Sequence, residues 1–182
     1  MKRRQSIICL FLATFLFASC QSYEQKKQLT LKKQTDVNLL IKSLAQKLQT
    51  LNDASSKLLT ATNQCSLALK EMKPTDVKVA MSYPKAKRHL LVLQKALAYK
   101  EIVNGEYGRT YSAYQELLGV SEQLELDMIM LNSFDEANFD KLLEELEDVL
   151  DNVQPMAQEL VIGEENLKLP DLNLIWKEYV TK

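Results

Sequence analysis

Six positions set the fold class of this chain: Val37, Leu44, Leu51, Leu58, Cys65 and Met72 recur at a strict seven-residue interval. Ile41, Leu48 and Leu69 fill companion positions four residues further on, so the apolar side chains fall along one side of a helix. This is a coiled-coil or bundle seam. Only four Gly and four Pro occur in 182 residues, so little interrupts helix formation. The companion row weakens at Ser55 and Thr62, and Asn52-Asp53-Ala54-Ser55-Ser56 carries capping residues, which predicts a long first helix bent near 52–56. Cys65 lies on the seam and is expected to be a buried core thiol rather than an exposed one that joins two chains.

Lys73-Pro74-Thr75 ends this arm, residues 75–83 predict a loop with one helical turn, and Pro84 suits the first turn of a second helix. That helix is expected to reach Val103, with Leu90, Leu93, Leu97 and Ile102 inward, and to stop at Asn104-Gly105. A third is expected from Glu106 to Leu131, carrying Tyr114, Leu117, Ser121, Leu124 and Met128 on one face. After Asn132-Ser133-Phe134-Asp135, the stripe running from Phe139 through Leu142, Leu143 and Leu146 to Leu160 marks a fourth, in which Pro155 predicts a kink or an early end. Asp171 caps a short last helix whose Leu172, Ile175, Trp176 and Tyr179 are apolar enough to dock across the end of the bundle. The expected fold is all-α: an antiparallel bundle of four main helices plus a short C-terminal helix, in one domain over residues 32–182.

The amino terminus has a different character. Lys2-Arg3-Arg4 precedes an apolar run of about 11 residues from Ile7 to Phe17, followed by the small pair Ala18-Ser19 and Cys20. A helix crossing the hydrocarbon core needs about 20 residues, so this run reads as a secretory signal peptide over residues 1–19 and not as an anchor. Leu16-Phe17-Ala18-Ser19-Cys20 resembles the lipobox of bacterial lipoproteins, with Phe17 where that family usually has Leu, Val, Ala or Ile. The resemblance covers residues 1–20 alone. It implies cleavage before Cys20, thioether lipidation of that cysteine with further acylation such as palmitate, and attachment to a membrane of the cell envelope. Two or three acyl chains make such attachment lasting. Gln21 is not the aspartate that marks inner-membrane retention in enteric lipoproteins, which implies the outer membrane in a diderm host. Residues 20–31 are then expected to form the lipidated cysteine and a polar, lysine-rich tether. Once Cys9 leaves with the leader and Cys20 is acylated, Cys65 has no intramolecular partner.

Charge is unevenly placed. Residues 21–104 hold 15 basic and 6 acidic residues, a net of +9, whereas residues 105–182 hold 5 and 18, a net of −13. One expectation is that helices of opposite sign neutralise each other across the bundle, which steers pairing while adding little stability. Another is that Lys26, Lys27, Lys32 and Lys33 lie against anionic headgroups, leaving Glu144, Glu145, Glu147, Asp148 and Asp151 to face a basic partner. Nucleic acid is not an expected partner: the acidic balance opposes it, and Lys85-Ala86-Lys87-Arg88-His89 reads as a solvated helix face.

Residue types needed for catalysis are scarce. The one histidine, His89, sits beside Lys87 and Arg88 with no neighbouring carboxylate to orient it. No Cys/His set with zinc spacing, no Glu-x-x-His pair, no calcium loop and no glycine-rich phosphate loop is present, so no metal, no cofactor and no enzyme activity is expected. Tyr107, Tyr111 and Tyr114 form an aromatic strip over two helical turns, which suits a binding face, although core and boundary packing is the plainer reading. Trp176 is expected to cover the core.

These features predict a non-enzymatic envelope lipoprotein that binds another envelope protein, as an assembly, secretion or surface-exclusion accessory does. A surface-exposed adhesin or host-interaction lipoprotein is the alternative, and the seam also admits a homo-oligomer. The candidate interaction surface is Tyr107, Tyr111, Glu144, Glu145, Glu147, Asp148 and Asp151.

Overall fold

The computed structural model describes residues 2–130, 147, 149–158, 160–161, 163 and 167–182, with side chains except those of residues 2–24, 26, 124 and 126–130. Of the described residues 88% are helical and none lies in a strand, so the protein is all-α. The elements are α1 (Lys2–Met72), α2 (Val77–Ser82), α3 (Pro84–Met130), a 3₁₀ turn (Gln154–Ala157), and α4 (Leu172–Ile175), which winds on into a π-helical turn (Trp176–Val180).

The boundaries at the first connection follow from local chemistry. Pro74 cannot continue α1, and Lys73 turns out of it with φ of 49°, its N–H donating to the Lys70 carbonyl at 3.2 Å. Asp76 then caps α2 by accepting the Val79 N–H at 2.8 Å. Pro84 opens α3, and the first helical bond there runs from the Lys87 N–H to the Tyr83 carbonyl at 2.8 Å. The segment expected to be a loop with one turn is thus a capped helix of six residues.

Neither residues 52–56 nor Asn104-Gly105 breaks its helix. α1 runs unbroken through residues 52–56, because its capping residues bond elsewhere: Asp53 accepts from Gln49 one turn back, and the Ser55 hydroxyl donates to Asn104 Oδ1 at 3.2 Å. Asn104 is therefore engaged with α1 rather than closing its own helix. α3 likewise passes through Asn104-Gly105 without stopping, and Gly105 does not take the left-handed conformation that a helix-ending glycine needs. The inward stripe of α3 continues across this point through Val103, Thr110, Ala113 and Leu117, all buried. Burial along one continuous helix outweighs the local stop signal, so the second and third expected helices are one. The connection expected at residues 132–135 and the stripe from Phe139 to Leu146 lie outside the described residues. Residues 149–153 are helical and Val153 is buried, after which Pro155 enters the 3₁₀ turn, the early end that a proline imposes.

The chain forms two compact units. The first comprises Met1–Lys42 and Leu117–Asn152. Within it Thr30, Val37, Leu117 and Ser121 are buried, and Lys33 pairs with Glu147. Residues 20–31, expected to be a tether, are helical: Gln25 to Leu31 contains neither glycine nor proline.

The second unit comprises Ser43–Glu116 and Val153–Lys182. In it α2 connects α1 to α3, which meet through Ser55 with Asn104 and Lys47 with Glu106. Its core gathers Cys65 and Leu69 of α1, Ala80 of α2, Ala86, Leu90 and Leu93 of α3, and Ile175 and Trp176 from the carboxyl end. Asp171 caps α4 by accepting from the Asn173 N–H at 2.8 Å and the Leu174 N–H at 3.2 Å. Gln94 of α3 donates to the Pro170 carbonyl at 2.7 Å, and the Ser66 hydroxyl of α1 donates to the Tyr179 carbonyl. The C-terminal segment is therefore held to both helices of this unit.

Candidate functional site

Two features of the second unit stand out chemically. The first is aromatic. Tyr107 and Tyr111 stand one turn apart on α3, 39% and 48% exposed, with ring centroids 6.2 Å apart and planes within 6° of parallel. Between them Gly108 adds no side chain, and a Cβ there or at Gly105 would meet nothing within 4 Å. The tyrosines consequently form a ledge on a rigid helix. Tyr114, the third of the strip, is half-buried, so core and boundary packing describes it and not the outer two.

The second feature is polar. Lys47 of α1 donates to Glu106 Oε1 at 2.6 Å and to the Met156 carbonyl at 2.7 Å, with its side chain only 9% exposed. Arg109 grips the other oxygen of Glu106 through Nε at 3.2 Å and a terminal nitrogen at 2.6 Å. Burial pushes the Glu106 carboxyl up, but hydrogen bonds from Lys47 and Arg109 and their positive charges outweigh it, holding the group below the usual carboxylate range. Beside this cluster opens a cleft of about 630 Å³. Lys47, Ser43, Gln46 and Thr50 supply its polar side; Leu51, Ala54, Val103, Ala157 and Leu160 supply its apolar wall. A smaller cleft of about 490 Å³ lies at the α1–α2–α3 connection, lined by Met72, Pro74, Val79 and Tyr83 among others.

The acidic candidates divide. Glu147 is exposed and ion-paired with Lys33, and Asp151 is exposed, while Glu144, Glu145 and Asp148 lie outside the described residues. Glu147 thus pairs with a lysine of the basic half. Lys47 with Glu106 repeats this pairing of basic half with acidic half inside the second unit. Lys27 and Lys32 are exposed, and the side chains of Lys26 and Cys20 lie outside the described residues.

Cys65 is buried and free, as its place on the seam implies, and burial pushes its thiol up from the ordinary value of 9.0. His89 is half-buried beside exposed Lys87 and Arg88. Among the described residues no three His, Cys, Asp or Glu side chains are grouped to hold a metal ion, and no helix is long and apolar enough to cross a membrane. Lys47 and Glu106 were not singled out in the sequence. The one local sign was the Glu106/Arg109 spacing, which says nothing of a lysine 59 positions away. No family model, no curated protein and no solved structure matches the chain.

Proposed function

We propose that the protein is a bacterial envelope lipoprotein, anchored by acyl groups on Cys20, that acts without catalysis by binding another envelope protein through a helical face. The observation that carries this reading is the Tyr107–Tyr111 ledge: two exposed, stacked aromatic rings on a rigid helix offer contact area at low entropic cost. The anchor is supported by the lipobox resemblance at Leu16 to Cys20, and exposed Lys27 and Lys32 suit the surface of an anionic membrane. An antiparallel helical bundle remains the proposed arrangement of the chain as a whole.

The test is crosslinking in cells followed by pull-down and mass spectrometry, comparing the wild type with Cys20→Ala and with Tyr107→Ala/Tyr111→Ala. The reading expects one envelope protein with the wild type, lost in the tyrosine variant, and release from membranes with an uncleaved leader in Cys20→Ala. Retained membrane attachment and normal maturation without Cys20 would sink the lipoprotein reading. Recovery of no bacterial partner, together with protease accessibility on whole cells, would transfer the assignment to a surface adhesin.

A further inference from the structure

The cleft beside Lys47 has a chemistry that the binding of a protein to the tyrosine ledge does not use. We propose that it holds a small amphiphilic monoanion of the acyl carboxylate class, with the headgroup on Lys47 and the tail on the wall made by Leu51, Ala54, Val103 and Leu160.

Charge comes first. Lys47 and Arg109 share the carboxylate of Glu106, so among the described residues this cluster of three carries a net charge of +1. One negative charge completes it. Donors come second. The Lys47 ammonium has three N–H bonds, of which one goes to Glu106 and one to the Met156 carbonyl. The third has no acceptor among the described residues, and Lys47 lines the cleft. A carboxylate oxygen in the cleft would give that N–H a charge-assisted hydrogen bond.

Shape and lining come third. At about 630 Å³ the cleft falls within the roughly 300 to 1,000 Å³ of small-molecule sites. Its apolar wall and polar side match a ligand with a tail and a headgroup. Among the described residues that line the cleft there is no aromatic ring to stack on a base, and one lysine donor suits a monoanion better than a phosphate dianion.

The test is calorimetric titration of the full chain with decanoate below its micellar concentration, beside decanol, which has the same tail without the charge. Wild type is expected to bind decanoate about tenfold or more tightly than decanol, the worth of one charge-assisted hydrogen bond. Lys47→Gln should erase that preference. Ala54→Trp, which fills the cleft and leaves Lys47 in place, should abolish binding of both. Far-UV dichroism and urea midpoints identify any variant that fails to fold; Ala157→Leu then replaces Ala54→Trp, and Lys47→Met replaces Lys47→Gln. Absence of decanoate binding to the wild type, equal affinity for decanol, or wild-type affinity in either folded variant overturns the proposal. None of these readouts depends on Cys20 acylation or on the tyrosine ledge.

Discussion

Lys47 and Glu106 stand 59 positions apart in the sequence and meet across α1 and α3 at 2.6 Å, with side chains 9% and 12% exposed. A pair so withdrawn from water is not equivalent to a surface ion pair. Removing one member leaves the other short of a partner where solvent cannot fully replace it. Lys47→Met, which keeps the apolar stem, should therefore cost about 1.5 to 3 kcal/mol in urea unfolding, since Arg109 still holds the orphaned carboxylate. Lys47→Met combined with Glu106→Gln should cost less than the sum of the single changes. Strict additivity would show that the contact contributes nothing to stability.

The same carboxylate makes stability depend on pH. The folded Glu106 titrates below its ordinary value of 4.5, so the folded chain binds that proton less readily than the unfolded chain does. Its contribution is present in full above 4.5 and fades as the pH falls through the folded value. The gap in urea midpoint between wild type and Glu106→Gln should be wider at pH 7 than at pH 3. A gap that stays constant would contradict the shift.

Gly105 and Gly108 lie inside α3, exposed, with nothing within 4 Å of an added Cβ. An exposed helical glycine leaves the unfolded chain needless freedom, so Gly105→Ala and Gly108→Ala should each stabilise the fold by about 0.5 to 1 kcal/mol in thermal melts. The sign is the informative part. Were Gly105 the left-handed residue after a helix end, as its sequence setting suggests, alanine there would destabilise.

That contrast marks where local sequence stops being informative. The α1 seam, the ends at Pro74 and Pro84, and the cap at Asp171 were legible because each rests on residues within a turn or two of one another. Cys65 was legible as core for the same reason, since a seven-residue period carries its burial. Continuity through Asn104-Gly105 was not, because it depends on Ser55 engaging Asn104 and on the burial of Val103 and Thr110. The tyrosine strip was visible as a pattern, yet which rings face water follows from where the core stripe of α3 runs. The cluster of Lys47, Glu106 and Arg109 joins residues from two helices, and its cleft adds a third segment. No spacing rule connects them.

Thr110 is fully buried and its hydroxyl has no hydrogen-bond partner among the described residues, whereas the hydroxyl of Thr62 donates to the Leu58 carbonyl at 2.8 Å. Valine has nearly the same shape without the hydroxyl. Thr110→Val should stabilise the protein by up to about 1 kcal/mol, and Thr62→Val should be neutral or destabilising by about the same amount. Chemical denaturation of the two variants side by side checks this, and a large loss in Thr110→Val would reveal a partner for that hydroxyl.

Trp176, the one tryptophan of the chain, is 7% exposed in a core that also holds Cys65 and Leu90. Ser66 and Gln94 anchor the backbone on either side of it, at the Tyr179 and Pro170 carbonyls. Its fluorescence should therefore be blue-shifted in the native chain and should move to the red when the C-terminal segment undocks. Trp176→Ala should cost about 3 to 5 kcal/mol, the usual consequence of emptying a buried aromatic site. The change should also expose Cys65, whose reaction with a thiol reagent is slow in the folded wild type because the group is buried and its thiolate disfavoured. Labelling Cys65 under native conditions in wild type and Trp176→Phe separates two origins of that protection. If phenylalanine restores slow labelling, an aromatic ring over the core is enough. If labelling stays fast, the full indole volume is needed to keep the segment docked.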